Sequence, residues 1–470
     1  MEIAEIAEGA RTAGATWSTA NQRLLDRSRG RPALRRRASF APVHQGNPLP
    51  TYPRLQSWPV FADGLRVREL ERVAVGLTRL FRGIPSRFFA DDPRQMAAFY
   101  SVDQPELLAA VMARPNAIEA ALARVDFLED GSGLRCLELN AGSYLGGWFT
   151  EFLEPLYLSC PELAGFLRED GLAARHRPTI RRMFSHIVRD TRRRGIWREG
   201  ELNLAVVLYP QVDSYLKSVG RPDLLQREYE AALSGEDGAL RGRVFICGYG
   251  DLEPAGAALR YRGCPVHALL EQQSGPTDRV AFRCFKAGGV NLFSGPVTML
   301  LSDKRNLALL SEAADGGGGL IDGEEKDLVR RHLPWTRRVA RATAIFGGEE
   351  VFLPDLLAGR REELVLKGAQ SLGGADVHIG RFLSATAWET VVQRALAEPG
   401  WIVQEEVRSL PWLFPGDDEE LAVFDVVWGI FVFGEEYGGT FVRMLPRERR
   451  GTVNVLQGCD VGIVLEVDAG

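Results

Sequence analysis

The stretch from Arg124 to Gly147 has little choice but to fold back on itself. Arg124–Val125–Asp126–Phe127–Leu128 and Leu134 to Leu139 both read as short strands. Glu129–Asp130–Gly131–Ser132–Gly133 between them is concentrated turn chemistry. A hairpin over these residues sets Asp126 beside Glu138 and Asn140. Residues i and i+2 of a strand share a face, so Glu138 and Asn140 project a carboxylate and an amide oxygen side by side. Hard oxygen donors presented this way suit Mg²⁺, which also keeps waters and substrate phosphates in its shell. An ordinary hairpin with acidic surface positions has the same pattern, so the rest of the chain must decide.

Composition narrows the field. The chain has 470 residues, 45% hydrophobic and 25% charged, as expected of a globular protein with two to four structural units. Its net charge of −5 supplies no global basic field, which argues against a nucleic-acid partner. No apolar run approaches a membrane span and the N-terminus lacks a signal-peptide core, so no membrane role is expected. The cysteines at 136, 160, 247, 264, 284 and 459 form no C-x-x-C pair, and they read as reduced thiols of a cytoplasmic protein. Arginine serves almost everywhere, leaving lysine only at 217, 286, 304, 326 and 367. A chain that avoids lysine retains it where a slender point charge is needed and a planar guanidinium does not fit. Lys217 and Lys326 read as surface retention.

In chain order, residues 1–48 are polar and arginine-rich and read as a flexible basic arm. Leu65 to Phe81 and Gln104 to Ala123 have helical periodicity; the metal hairpin follows, closing a region that spans 49–200. Leu202 to Tyr209 is an uninterrupted apolar run, suited to a strand buried on both faces. With a helix over Pro222 to Ser234 and strands at Arg243–Cys247, Cys264–Leu270 and Val280–Phe285, residues 201–300 form a small α/β unit with a largely parallel sheet. The remaining 301–470 begin with Ser302–Asp303–Lys304 and a helix from Asn306, and helices are expected around Glu324–His332 and Arg337–Ile345. Strands at Glu363–Lys367, Val377–Gly380, Trp401–Glu406, Leu421–Phe433, Gly438–Met444 and Thr452–Leu456 then read as an antiparallel sheet.

Chemistry accumulates in this last part. Lys367 ends an apolar strand directly before Gly368–Ala369–Gln370–Ser371–Leu372–Gly373–Gly374. That places an ammonium against a phosphate while loop N–H groups can close over the same anion. Lys304, about 60 residues earlier, opens a helix and offers a second phosphate contact. Gln404–Glu405–Glu406 closes a strand and offers partners to an adenine amine and ribose hydroxyls.

Taken in this order, the pieces resemble a circularly permuted ATP-grasp ligase, and more narrowly the synthetase domain of the glutathionylspermidine synthase family. That family's R-x-D and F-E-x-N-A-D elements are similar to Arg124-x-Asp126 and Leu137–Glu138–Leu139–Asn140–Ala141–Gly142. Its N-P-x-W and S-N-K elements correspond to Ser294–Gly295–Pro296 and Ser302–Asp303–Lys304. Its K-P and R-E-G loop corresponds to Lys367–Gly368 and Ser371–Leu372–Gly373–Gly374, and its late G-x-x-x-R-E to Gly439 through Arg443. The resemblance spans roughly residues 50 to 465. It implies an α/β (α+β) ATP-grasp fold with ATP and Mg²⁺ as cofactors. Asp126, Glu138 and Asn140 would hold the metal, and Arg124 and Arg443 would stabilise the transferring phosphoryl group. Lys304 and Lys367 would bind ATP phosphates, with Gly368, Ser371, Gly373 and Gly374 in a lid and Gln404, Glu405 and Glu406 at the adenosine. The implied activity is ADP-forming carboxylate–amine ligation through an acyl phosphate, on small carboxylate and amine substrates (amino acid, peptide or polyamine), in peptide or natural-product biosynthesis. Two other readings stay open: a non-catalytic ATP-binding partner protein and a kinase-like phosphoryl transferase. The chain departs from the family in lacking the lid's Arg–Glu pair and in carrying A-G-S-Y-L-G-G after the metal triplet.

Overall fold

A computed structural model describes residues 3–35, 54–103, 105–113, 121–142, 145–197, 200–207, 223–271, 280–293, 300–316, 318–371 and 374–468. In it the expected hairpin is present and longer at both ends: Leu122–Asp130 pairs antiparallel with Gly133–Ala141. Asp126 stands opposite Glu138 and Arg124 opposite Asn140, with a register shift just after Asp126.

The hairpin forms one side of the largest sheet. Its strands run in the order Val60–Asp63, Asp460–Val467, Glu436–Pro446, Leu421–Phe433, Leu122–Asp130 and Gly133–Ala141. Val60–Asp63 pairs parallel to its neighbour and the other pairs are antiparallel. The pairing sets Gly429 opposite Asp126 and Val427 opposite Arg443, so the first third of the chain shares one sheet with the last. Helix Gly64–Phe89 covers this sheet with Leu70, Val73, Ala74, Leu77 and Phe81, a buried stripe at spacings of three and four.

Several expectations are corrected. Residues 3–35 of the supposed flexible arm form helices Ile3–Trp17 and Thr19–Gly30, docked on the main core; the remainder of that arm lies outside the described residues. Trp17 is 0% exposed and stacks on Trp428 at 3.7 Å between centroids. Its indole N–H donates to Glu129 at 2.7 Å, and Arg66 closes on the same carboxylate at 2.7 Å. Arginines dominate the composition here, but Ala13, Trp17, Ala20, Leu24 and Leu25 supply the buried side, while Arg27 and Arg31 pair with Glu169 across the surface. Val280–Lys286 is a helix, because Ala281, Phe282, Cys284 and Phe285 are buried with helical spacing in a run too short to arbitrate by length. Arg337 to Ile345 belongs to strands Thr336–Arg338 and Thr343–Phe346, whose partners supply the pairing that local periodicity did not reveal. Thr452–Leu456 is not a strand; Asp460–Val467 takes its place in the sheet, beyond Gly458 at φ +76°.

The expected parallel sheet is present, with Asn291–Leu292, Ala268–Glu271, Leu204–Val207 and Val244–Cys247 all parallel, but the strand expected over Cys264–Leu270 divides, Cys264–Val266 pairing in a separate antiparallel sheet. The single antiparallel sheet expected for the last strands divides in two: Leu421–Phe433 and Glu436–Pro446 join the largest sheet, while a separate antiparallel sheet orders Thr336–Arg338, Trp401–Glu405, Leu364–Gly368 and Val377–Ile379 over its own core of Leu357, Leu366, Trp388 and Val403. The molecule is therefore a mixed α/β protein with several sheets. Among the described residues no helix is long and apolar enough to cross a membrane.

Candidate active site

The hairpin and the separate antiparallel sheet face each other across a cleft of about 930 Å³, its open mouth included. Asp126, Glu138, Lys367, Gln404 and Arg443 line it, with Leu128, Val365, Val377 and Ile379 as an aliphatic wall. Four stretches far apart in sequence thus contribute to one cavity.

Asp126 is buried and held from two sides. Arg124 clamps it with Nε on Oδ1 at 2.7 Å and Nη2 on Oδ2 at 2.9 Å, and Arg443 reaches Oδ2 at 2.7 Å. Burial alone would raise the Asp126 pKa, but the two guanidinium groups outweigh it and hold the carboxyl down at about 2. Gly429 makes this crowding feasible. A Cβ there would lie 2.8 Å from Arg124 Cδ and 3.1 Å from Asp126 Oδ1. A glycine isolated in an apolar strand signals such an approach, so Gly429 was legible in the sequence and was missed.

Glu138 and Asn140 share the patch. The Asn140 amide lies 3.2 Å from Asp126 Oδ2 and 3.3 Å from Glu138 Oε1. Lys304 approaches Glu138 Oε2 at 3.4 Å and donates to the Ser371 carbonyl at 2.7 Å. Lys367, 6% exposed, donates to Gln404 Oε1 at 2.6 Å and to the Leu137 carbonyl at 3.2 Å. Its desolvation outweighs the attraction of Glu138 and, with repulsion from Lys304, brings its pKa down to about 8.

The donor set fits a hard divalent cation in part. Two carboxylates converge with the Asn140 amide, whose nitrogen donates to both of them here and whose oxygen would have to turn inward to join a metal shell. The set is short of the three acidic, histidine or cysteine ligands of a self-sufficient site, a grouping absent among the described residues. Mg²⁺ tolerates such a set because waters and phosphates complete its shell. Charge points the same way. Arg124, Arg443, Lys304 and Lys367 gather at Asp126 and Glu138, a net charge of +2 among these six, while Arg381, Glu405, Glu406 and Asp425 line the remainder of the cleft. Arg443 Nε is buried and finds no hydrogen-bond partner among the described residues. An anion supplies what this cluster lacks.

The other expected residues are placed less simply. The N–H groups of Gly368, Ala369 and Ser371 donate to Asp376, Gly400 and Gly368 carbonyls, so in this conformation they close a turn instead of opening toward an anion. Gly374 lines the cleft, and Gly373 lies outside the described residues. Gln404, expected at adenosine through the backbone and carboxylates of its strand end, lines the cleft, and its side-chain amide is taken at both ends, by Lys367 and by Thr336. Glu405 is exposed at its strand end, and the Glu406 carboxylate is paired with Arg381, with Arg408 at 3.6 Å. Ser294–Gly295–Pro296 lies outside the described residues. In the glycine-rich stretch after Glu138–Leu139–Asn140, the Gly146 carbonyl accepts from Arg124 at 2.6 Å, and Gly147 (φ +103°) packs where a Cβ would strike the Phe441 ring at 2.5 Å.

No family model matches the chain, and no curated protein matches it. Solved structures do. A glutathione synthetase-like effector from Globodera pallida, solved in apo form, superposes with a TM-score of 0.54 at 11% identity, covering 87% of this chain and 89% of its own. The likeness is one of fold. A candidate gamma-glutamylcysteine synthetase from Methylobacillus flagellatus aligns over 81% of this chain and 87% of its own at 12% identity, with a TM-score of 0.36, too low to speak for a shared architecture. This chain thus shares its architecture with a glutathione synthetase-like protein while its sequence has diverged far from it.

Proposed function

We propose that this protein is an ATP- and Mg²⁺-dependent carboxylate–amine ligase built on a circularly permuted ATP-grasp fold. The observation that carries the reading is the cationic cluster of Arg124, Arg443, Lys304 and Lys367 closed around the Asp126–Glu138–Asn140 donor set. A magnesium–nucleoside triphosphate is a net dianion and complements that cluster in charge. Asp126, Glu138 and Asn140 would hold Mg²⁺, which when bound neutralises phosphate charge. The glutathione synthetase-like fold of the Globodera pallida protein supports the same reaction class.

Lys304 and Lys367 bind the triphosphate in this scheme, and Arg124 and Arg443 stabilise charge on the phosphoryl group in flight. A substrate carboxylate oxygen attacks the γ-phosphorus, the bond to the bridging oxygen breaks and ADP leaves. An amine then attacks the acyl carbon, phosphate departs, and the amine nitrogen loses a proton to give the amide. No side-chain nucleophile takes part; positioning and electrostatics carry the chemistry.

ADP release measured against a panel of amino acids, short peptides and polyamines tests the proposal. Substrate-dependent ADP with an amide product is the expected result. Thermal stabilisation by ATP and Mg²⁺ without ADP formation would instead make the protein a nucleotide-binding partner, and a phosphorylated end product would make it a kinase-like transferase.

A further inference from the structure

Thr336 carries no expected role, yet it stands at the end of a fully buried polar row. Strand Thr336–Arg338 pairs with Trp401–Glu405, which pairs with Leu364–Gly368; Thr336 is directly opposite Gln404, and Lys367 lies diagonally beyond it. The three side chains are 0%, 1% and 6% exposed. Thr336 Oγ1 donates to the Pro334 carbonyl at 2.8 Å. Gln404 Nε2 donates to Thr336 Oγ1 at 3.1 Å, and Lys367 Nζ donates to Gln404 Oε1 at 2.6 Å.

The direction of this row is forced. The Pro334 carbonyl can only accept, so the single threonine proton is spent on it and Oγ1 faces Gln404 as an acceptor. That fixes the amide nitrogen toward Thr336 and the amide oxygen toward Lys367, whose ammonium has donors only. With the hydroxyl gone, Lys367 alone holds the amide, and the buried Gln404 Nε2 loses its acceptor, so the amide is free to swing off the lysine in search of another.

We infer that Thr336 and Gln404 are positioning residues that hold the Lys367 ammonium on the phosphate-binding side of the cleft. Thr336 acts at one remove, by anchoring the far end of the Gln404 amide that the lysine leans on. The inference rests on the reading of the cleft as an ATP site. It gives the Gln404 side chain a place behind the phosphate lysine, distinct from the backbone and carboxylate partners that its strand end would offer adenosine.

The test is calorimetric binding of the non-hydrolysable analogue AMPPNP with Mg²⁺ to the full chain, comparing wild type with T336V, T336S and K367M. T336V is expected to weaken the analogue about five- to ten-fold, the effect of one hydrogen bond, while T336S binds as wild type and K367M loses binding. A threonine that merely supports the fold would lower the melting temperature in T336V without this loss and without rescue by serine. T336V binding as tightly as wild type, while K367M fails, would overturn the inference and leave the ATP site intact. Wild type failing to bind would overturn the ATP site. The row is then decided without nucleotide by the Gln404 side-chain ¹⁵NH₂ signal. Slow-exchanging amide protons in wild type that broaden in T336V support the row; identical behaviour in both overturns it.

Discussion

Replacing Lys367 by methionine separates what a buried ammonium does for binding from what it costs the fold. Burial lowers its pKa from 10.5 to about 8, against the attraction of Glu138 and with help from Lys304. Between those two values the unfolded chain binds the proton and the folded chain does not, so stability rises with pH across that window. Below pH 8 both states are protonated and the full penalty of burying the charge applies. Each pH unit between the two values is worth ~1.4 kcal/mol, so the penalty at pH 7 is about 3 kcal/mol, most of it relieved by pH 10. Methionine has no proton to lose. Stability of wild type minus Lys367→Met should therefore rise by about 2 to 3 kcal/mol from pH 7 to pH 10, with the titrating groups that do not feel the Lys367 charge cancelling in the difference. The value at pH 7 decides little. Losing the charge helps, but Gln404 Oε1 and the Leu137 carbonyl lose their donor, at about 1–3 kcal/mol each. Urea unfolding of both proteins at half-unit pH steps reads the slope directly. A difference that stays flat across this range would refute a charged, desolvated lysine at this position.

Three further outcomes follow from the geometry. Glu138→Gln removes a metal-facing charge without changing shape, and metal-dependent ADP formation should fall at least ~100-fold while the melting temperature stays within a few degrees; retained turnover would remove Glu138 from the site. Gly429→Ala puts a methyl 2.8 Å from Arg124 Cδ, so the Arg124–Asp126 clamp must shift. Turnover should drop further than stability does, and an alanine variant with wild-type activity would show that the clamp is dispensable. Trp17→Ala deletes a fully buried ring stacked on Trp428 and should cost about 3–5 kcal/mol in chemical denaturation. A loss under about 1 kcal/mol would mean that the N-terminal helices contribute little to the core.

What could be read from sequence was what local chemistry determines. The hairpin was legible because turn residues and strand alternation sit within 18 residues of one another, and Asp126, Glu138 and Asn140 fell together as that hairpin required. The parallel unit was legible from apolar runs that only two-sided burial explains. Trp17 was hidden because arginines outnumber the apolar stripe beneath them, and that stripe shows itself only against Trp428, some four hundred residues away. The side-chain role of Gln404 was hidden for a related reason. The partners of a strand-end amide lie on both flanking strands, and Thr336 and Lys367 are brought to it only by sheet pairing.

The central sheet also sets an order of events for the newborn chain. Phe127 pairs with Trp428, roughly three hundred residues later, and Asp460–Val467 sits between Val60–Asp63 and Glu436–Pro446. A pairing that spans most of the chain carries a large loop-closure cost and is slow to form. Asp126 therefore waits on the ribosome for Arg443 and Gly429, and its hairpin presents an open edge until they arrive. A chain stopped before Cys459 would leave two strands unpaired on facing edges, the arrangement that recruits other chains. Premature termination there should yield aggregates, with translation speed over the last third of the message setting how much of the protein escapes them.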